Sequence, residues 1–209
     1  MDEYIIRNSA DVAKGAAWLA KVEPQFSKAL GQLGPLPLRL REDGFEALLS
    51  AIVSQQISVA AARGVWAKLE AAGATEADAI LELSLEELRE IGLSRQKAGY
   101  GKALAEHRID FAALRCQRSE TVVLALTEVK GIGIWTAEIY CMFSLGRADV
   151  FAAGDLALQE SARILFGLPE RPKEKELRQM AEAWSPWRAV AARLLFTYYH
   201  LIKDREGMT

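Results

Sequence analysis

The 209-residue chain predicts an all-α fold, and three observations carry that expectation. Apolar residues recur at steps of three and four, strand-type alternation is nearly absent, and residues that cap helix starts appear at short intervals. Between Ser58 and Ala72 the residues Val59, Ala62, Trp66 and Leu69 fall on one helical stripe. Ser84, with Glu87 three residues on, has the capping-box form and opens a short helix that Gly92 closes. Similar starts stand at Ser9, Asp43, Thr75, Ser94 and Ser119, and Tyr4-Ile5-Ile6 is the one short strand candidate. About ten helices with short connections result.

The proline-containing stretch GPLPLRL, Gly34 to Leu40, reads as an extended link between two helical groups. Residues 43–147 are expected to form a central helical subdomain, and residues 1–42 with 148–209 a second one. A cleft between two such groups is a natural place for a site.

Composition narrows the function classes. With 51% apolar residues the chain can bury a sizeable core. Its formal net charge of −2 offers no global attraction to nucleic acid, so any such role must rest on a local patch. Cys116 and Cys141 form no C-x-x-C pair, and His107 and His200 are far apart in sequence, so neither a zinc site nor a disulfide framework is legible. No stretch approaches the roughly 20 apolar residues of a membrane span, and the start Met1-Asp2-Glu3 lacks a signal pattern. A reducing, cytoplasmic location without membrane association is the simplest expectation.

The segment VKGIGIWTAEIY, Val129 to Tyr140, sets two glycines around Ile132 and turns at once into a helix. Leu124 and Leu126 precede it, in a helix from about Ser119, so the local pattern over about 119–146 is helix, hairpin, helix. Gly131 and Gly133 can take positive φ and leave no side chain between backbone and ligand. A helix starting just after Gly133 directs N–H groups and its positive dipole end outward, which suits a phosphate. An ordinary glycine turn between two helices fits the same residues.

Asp155, in AAGDLAL, follows a glycine and precedes an apolar-periodic stretch, which suits a helix N-cap. Asp149 is its nearest neighbour of the same type and reads as a loop cap or a solvated residue. From Gly92 to Leu104 the chain carries Arg95, Lys97 and Lys102 and no acidic residue, which reads either as a solvated helix face or as a backbone-binding patch.

VKGIGIWTAEIYCMFSLGRADVFAAGDLAL resembles the helix-hairpin-helix, loop and aspartate that define the helix-hairpin-helix DNA glycosylase superfamily. Within it the chain looks most like the 3-methyladenine DNA glycosylase II family, which removes alkylated bases. SAIVSQQISVAAA (Ser50 to Ala62), GLSRQKAGY (Gly92 to Tyr100) and WSPWRAVAARLL (Trp184 to Leu195) share the resemblance, which spans roughly residues 45 to 200. Four motifs in the right order are more specific than any one of them. The resemblance implies the helix-hairpin-helix DNA glycosylase fold, in the compact and purely helical form.

It also implies roles. Asp155 falls where the family's catalytic aspartate lies, and a carboxylate there suits stabilising an oxocarbenium-like sugar or orienting a water. Members that also cut the backbone carry a lysine two residues after the second hairpin glycine. Here that position is Trp135, which cannot form a Schiff base, so a monofunctional enzyme is expected. An N-alkylated purine is cationic and already a good leaving group, so aromatic faces matter more than acid catalysis. Trp135, Trp187, Trp184 and Tyr140 are the base-pocket candidates, although Trp135, Ile139, Met142 and Phe143 share helical spacing and suit a core equally.

Gln56, beside Gln55 and Ile57, matches the wedge that fills the gap left by a flipped base, where other members use leucine. Lys130, Gly131, Gly133, Arg95 and Lys97 are the DNA-backbone candidates. By resemblance the carbonyls of Thr127, Val129 and Gly131 hold a monovalent cation, Na or K. The iron–sulfur cluster of some relatives needs four cysteines and this chain has two, so no cluster is expected.

The expected partner is double-stranded DNA carrying alkylated bases, met by a monomer. 3-Methyladenine is first among the substrates, followed by 7-methylguanine, 1-methyladenine, hypoxanthine and ethenoadenine. The competing readings are a bifunctional glycosylase/lyase and a non-catalytic helix-hairpin-helix DNA-binding module.

Overall fold

The computed structural model describes residues 3–206, the side chains of Val59 and of residues 204–206 excepted. Among the described residues there are thirteen α-helices, one short 3-10 turn and no strand. Contacts divide the chain into two compact units, Met1–Leu40 with Cys141–Thr209, and Arg41–Tyr140. No helix among the described residues is long and apolar enough to cross a membrane.

In chain order the helices are α1 (Ser9–Val22), α2 (Pro24–Leu33), α3 (Phe45–Ser54), α4 (Val59–Ala71), α5 (Ala77–Glu82), α6 (Leu85–Ile91) and α7 (Arg95–Glu106). They continue with α8 (Phe111–Cys116), α9 (Ser119–Thr127), α10 (Ile134–Phe143), α11 (Leu156–Phe166), α12 (Glu174–Ala181) and α13 (Arg188–Glu206). The boundary between units falls inside α10, at Tyr140 and Cys141, whereas the sequence reading put it beyond that helix, at Arg147.

Local signals place most starts. Ser84 and Glu87 form a reciprocal capping box on α6, and Gly92 ends that helix with φ 131°. Ser58 and Ser94 cap α4 and α7 with their hydroxyls. Four other expected starts shift by one residue. Asn8, not Ser9, caps α1 and forms a capping box with Asp11; Gly44, Glu76 and Arg118 precede α3, α5 and α9. Asp43 is drawn away from a cap because its carboxylate pairs with Arg115. Tyr4-Ile5-Ile6 makes a single antiparallel bridge, Ile5 to Arg147, rather than a strand.

The Arg41–Tyr140 unit is built on α7, which packs against α3, α5 and α6. Leu48, Leu49, Ile52, Val53, Leu69, Ile80, Leu88, Leu104, Val122 and Leu126 form its core. Ala62 and Leu69 of the α4 stripe are buried, Trp66 is half-buried with its indole N–H donating to Glu70, and the Val59 side chain lies outside the described residues.

In the unit of the two termini, α13 packs against α1, α2 and α11. Arg193 on α13 is fully buried and donates to the carbonyls of Leu38 (2.9 Å), Ala189 (2.9 Å) and Met142 (3.2 Å). Burial, with the nearby Arg39, pushes its guanidinium down to about 10, so it stays charged at neutral pH. A buried charge needs such donors satisfied, and Arg193 thereby ties the extended 34–40 link to α13.

Candidate nucleic-acid interface

The hairpin after α9 is fixed from below by its apolar residues. Val129 and Ile132 are buried, and Ile132 N–H donates to Val129 O (3.0 Å) to close the turn. The two glycines then differ. Gly131 has φ 100°, and a Cβ there would lie 2.2 Å from Tyr100 Cγ, so backbone and packing both demand glycine. Gly133, contrary to expectation, is not among the residues of positive φ, and a Cβ on it would meet nothing within 4 Å. Nothing inside the fold requires glycine there, and the space beside its backbone is open.

Gly133 O accepts from Ala137 N–H, so it stands at the start of α10, whose first residues Ile134 and Trp135 are exposed. The N-terminal turn of a helix carries N–H groups without helical acceptors and a positive partial charge, a suitable seat for a phosphate. Lys130 is exposed on the same turn.

A concave surface of about 360 Å³ joins this hairpin to two motifs remote in sequence; it is lined by Gln55, Gln56, Gln96, Lys97, Tyr100, Gly131, Ile132 and Gly133. The adjacent glutamines do different work. Gln55 Nε2 donates to Gly131 O (3.0 Å), which takes Gln55 out of the wedge role and makes it a tie between the 55–58 loop and the hairpin. Gln56 is exposed and has φ 57°, a conformation that non-glycine residues rarely hold. That strain sits on the residue whose side chain stands outward at the rim. Gln96 and Tyr100, which sequence reasoning did not single out, are paired at 2.6 Å along the same surface.

The basic patch is smaller than its sequence suggested. Lys97 Nζ donates to Val53 O (2.6 Å) and Lys102 Nζ to Leu81 O (2.9 Å), each at the end of a neighbouring helix. Burial lowers the Lys97 pKa. Both ammonium groups therefore serve carbonyls first, whereas Arg95 and Lys130 are exposed.

Asp155 lies in the other unit, at the start of α11. Its Oδ1 accepts from Ala157 N–H (2.8 Å) and Leu158 N–H (3.2 Å), so the N-cap reading holds. The loop before it is held at every turn. Ala152 and Ala153 are buried, Asp155 N–H donates to Ala152 O, Arg178 reaches Phe151 O (3.4 Å), and Gln159 Nε2 donates to Ala153 O (2.9 Å). The carboxylate is thus set at a helix N-terminus on a backbone with little freedom.

Asp149 is occupied elsewhere. Its oxygens accept from Arg188 Nε (2.7 Å), Arg188 Nη2 (3.0 Å) and Ser185 Oγ (2.8 Å). Burial alone would raise its pKa, but the Arg188 and Ser185 hydrogen bonds outweigh it and the pKa is lowered. A carboxylate with a depressed folded pKa stabilises above its unfolded value and loses that contribution as pH falls through the folded one. Asp149→Asn should therefore cost about 1–2 kcal/mol at neutral pH. The difference from wild type should close below about pH 4 in urea unfolding curves.

The aromatic candidates separate by burial. Trp135 is 41% exposed on α10. Trp184 is 2% exposed and stacks on Phe166 at 5.8 Å, with Phe26 and Phe151 at 5.0 and 5.4 Å; it is a core residue, not a pocket wall. Trp187, 5% exposed, packs against Tyr4 at 4.7 Å and over Gly15, where a Cβ would come within 2.7 Å of its ring. Tyr140 is buried and its hydroxyl accepts from Gly44 N–H (3.1 Å). These three are buried and engaged in packing, and of the four candidates only Trp135 is exposed.

Comparison with known proteins identifies the family. The model of the HhH-GPD superfamily of base excision DNA repair proteins matches residues 49–186, and the chain belongs to that family. It is 26% identical over 200 residues to the alkylbase DNA glycosidase-like protein mag2 of Schizosaccharomyces pombe, covering 90% of this chain and 93% of that protein. A crystal structure of DNA-3-methyladenine glycosidase from Bacillus halodurans superposes with a TM-score of 0.81 at 32% identity, covering 98% of this chain and 95% of that one. The 3-methyladenine DNA glycosylase Mag1 of Schizosaccharomyces pombe, in complex with abasic DNA, superposes with a TM-score of 0.75 at 27% identity, over 87% of this chain and 95% of that one.

Proposed function

We propose that this chain is a monofunctional DNA glycosylase that releases alkylated purines, 3-methyladenine first, from double-stranded DNA, acting as a monomer. The observation that carries the proposal is Asp155, a carboxylate fixed at the N-terminus of α11 in a chain of this family. The hairpin supplies the backbone grip through Gly133 and the start of α10. Gln56 fills the space of the extruded nucleotide, and Trp135 offers an aromatic face to a cationic purine.

The chemistry asks little of the leaving group. An N-alkylated purine carries positive charge, so the C1′–N bond breaks with its electron pair passing to the base, which departs neutral. The sugar is left with oxocarbenium character, and the Asp155 carboxylate stabilises that charge. Water then adds to C1′ and loses a proton, leaving an abasic site. Hydrogen bonds to Oδ1 from Ala157 and Leu158 fix the carboxylate plane before substrate arrives, which is the preorganisation such stabilisation needs.

No iron–sulfur cluster enters this reading. A monovalent cation at the carbonyls of Thr127, Val129 and Gly131 is compatible with the donors present. Val129 O and Gly131 O each accept one hydrogen bond, from Ile132 N–H and Gln55 Nε2, and a carbonyl retains a second lone pair. When bound, the ion would add positive charge beside a DNA phosphate.

The lyase alternative requires an amine that attacks C1′, and Trp135 stands at the position where that amine is expected. Incubation with methylated duplex DNA should release free base, detected by chromatography, and borohydride should trap no protein–DNA adduct. Absence of base release at high protein concentration would reduce the chain to a DNA-binding module; a trapped adduct would make it a lyase.

A further inference from the structure

Gln159 lies on the buried side of α11, between the core residues Leu158 and Ala162, and is 7% exposed. A carboxamide taken from water without a partner is costly, and an apolar side chain would fill the site at no such cost. Packing therefore does not explain a glutamine here; its hydrogen bond does. Nε2 donates to Ala153 O at 2.9 Å, while the Gln159 backbone N–H donates to Asp155 O at 3.0 Å. One residue thus holds the chain on both sides of Gly154, the only link between Ala153 and Asp155.

The surrounding contacts engage other groups of the loop, while the Ala153 carbonyl meets the Gln159 carboxamide. Phe151 O is taken by Ala153 N–H and approached by Arg178, and Ala152 O is taken by Asp155 N–H. Without the Gln159 carboxamide, the Ala153–Gly154 peptide loses the hydrogen bond on its own carbonyl, and Gly154 offers little resistance to its rotation within the turn. The Asp155 carboxylate would keep its helix cap but lose the fixed approach of the chain that aims it.

We propose that Gln159 is a positioning residue for the Asp155 carboxylate, acting through its side-chain hydrogen bond to the Ala153 carbonyl. The inference rests on the glycosylase reading for its catalytic readout, and carries a structural readout that does not. Gln159→Met keeps the volume and removes the donor; Gln159→Glu keeps the shape and places an acceptor where the donor was. Both should bind alkylated duplex DNA within about threefold of wild type and release base about 10- to 100-fold more slowly in single turnover, because small displacements of a catalytic group cost that much.

Deuterium exchange over residues 152–157 should be faster in both variants, whether or not the wild type releases base. Unchanged exchange would overturn the proposal, and so would wild-type release rates in a folded variant. A loss of rate matched by an equal loss of DNA affinity would also overturn it, since that pattern marks a general structural defect. If wild type releases no base, the glycosylase reading fails while the exchange experiment still decides what Gln159 does to the loop.

Discussion

Asp155→Asn should fold and bind DNA as the wild type does, and lose base release by about 10²–10³-fold in single turnover. The substitution is informative because asparagine is as good an N-cap as aspartate. The hydrogen bonds from Ala157 and Leu158 N–H can therefore survive, and α11 keeps its start. What disappears is the negative charge, so a loss of rate at unchanged affinity assigns that charge to the transition state. Near-wild-type rates would move catalysis to another residue, and Asp149 is an unsuitable successor because Arg188 and Ser185 engage it.

The second large effect divides the hairpin glycines. Gly131→Ala should destabilise by about 2–4 kcal/mol, since it combines a left-handed φ with a clash against the Tyr100 ring. Gly133→Leu should leave the unfolding midpoint within about 0.5 kcal/mol of wild type, because its side chain enters open space. It should nevertheless weaken binding to damaged and undamaged duplexes alike, by about tenfold or more, by holding the phosphate backbone away from the start of α10. Unfolding curves and binding titrations on the two variants should give opposite patterns. Selective loss of damaged DNA by Gly133→Leu would argue against a phosphate contact.

Features set by neighbours in sequence were the legible ones. The Ser84–Glu87 box, the Gly92 stop and the Asp155 cap all depend on residues within four positions, and the structure has each of them. The shifted helix starts show the limit of such signals: Asp43 has the right chemistry for a cap, but Arg115, distant in sequence, takes its carboxylate. The order of motifs carried the family, because four spaced patterns constrain a chain far more than one.

Burial was the property that local reading could not supply. Trp135 and Trp184 look equivalent in sequence, yet one is exposed on α10 and the other fills an aromatic core among Phe26, Phe151 and Phe166. Gln55 and Gln56 are adjacent and identical; only the fold turns one toward Gly131 and leaves the other at the surface. Lys97 and Lys102 belong to a basic run, but the carbonyls they meet lie on other helices. Gln159 passed unnoticed because a polar residue within a helix ordinarily faces water. Its one sequence signal was position: it follows Asp155 by one helical turn, beside the apolar stripe of α11.

The most direct test of the glycosylase reading is strand integrity after single turnover on a duplex carrying one 3-methyladenine. Wild type should yield free base together with a full-length strand that breaks at the lesion only after hot alkali, and Asp155→Asn neither product on the same timescale. A strand cut without alkali, or equal product from Asp155→Asn, would contradict that reading.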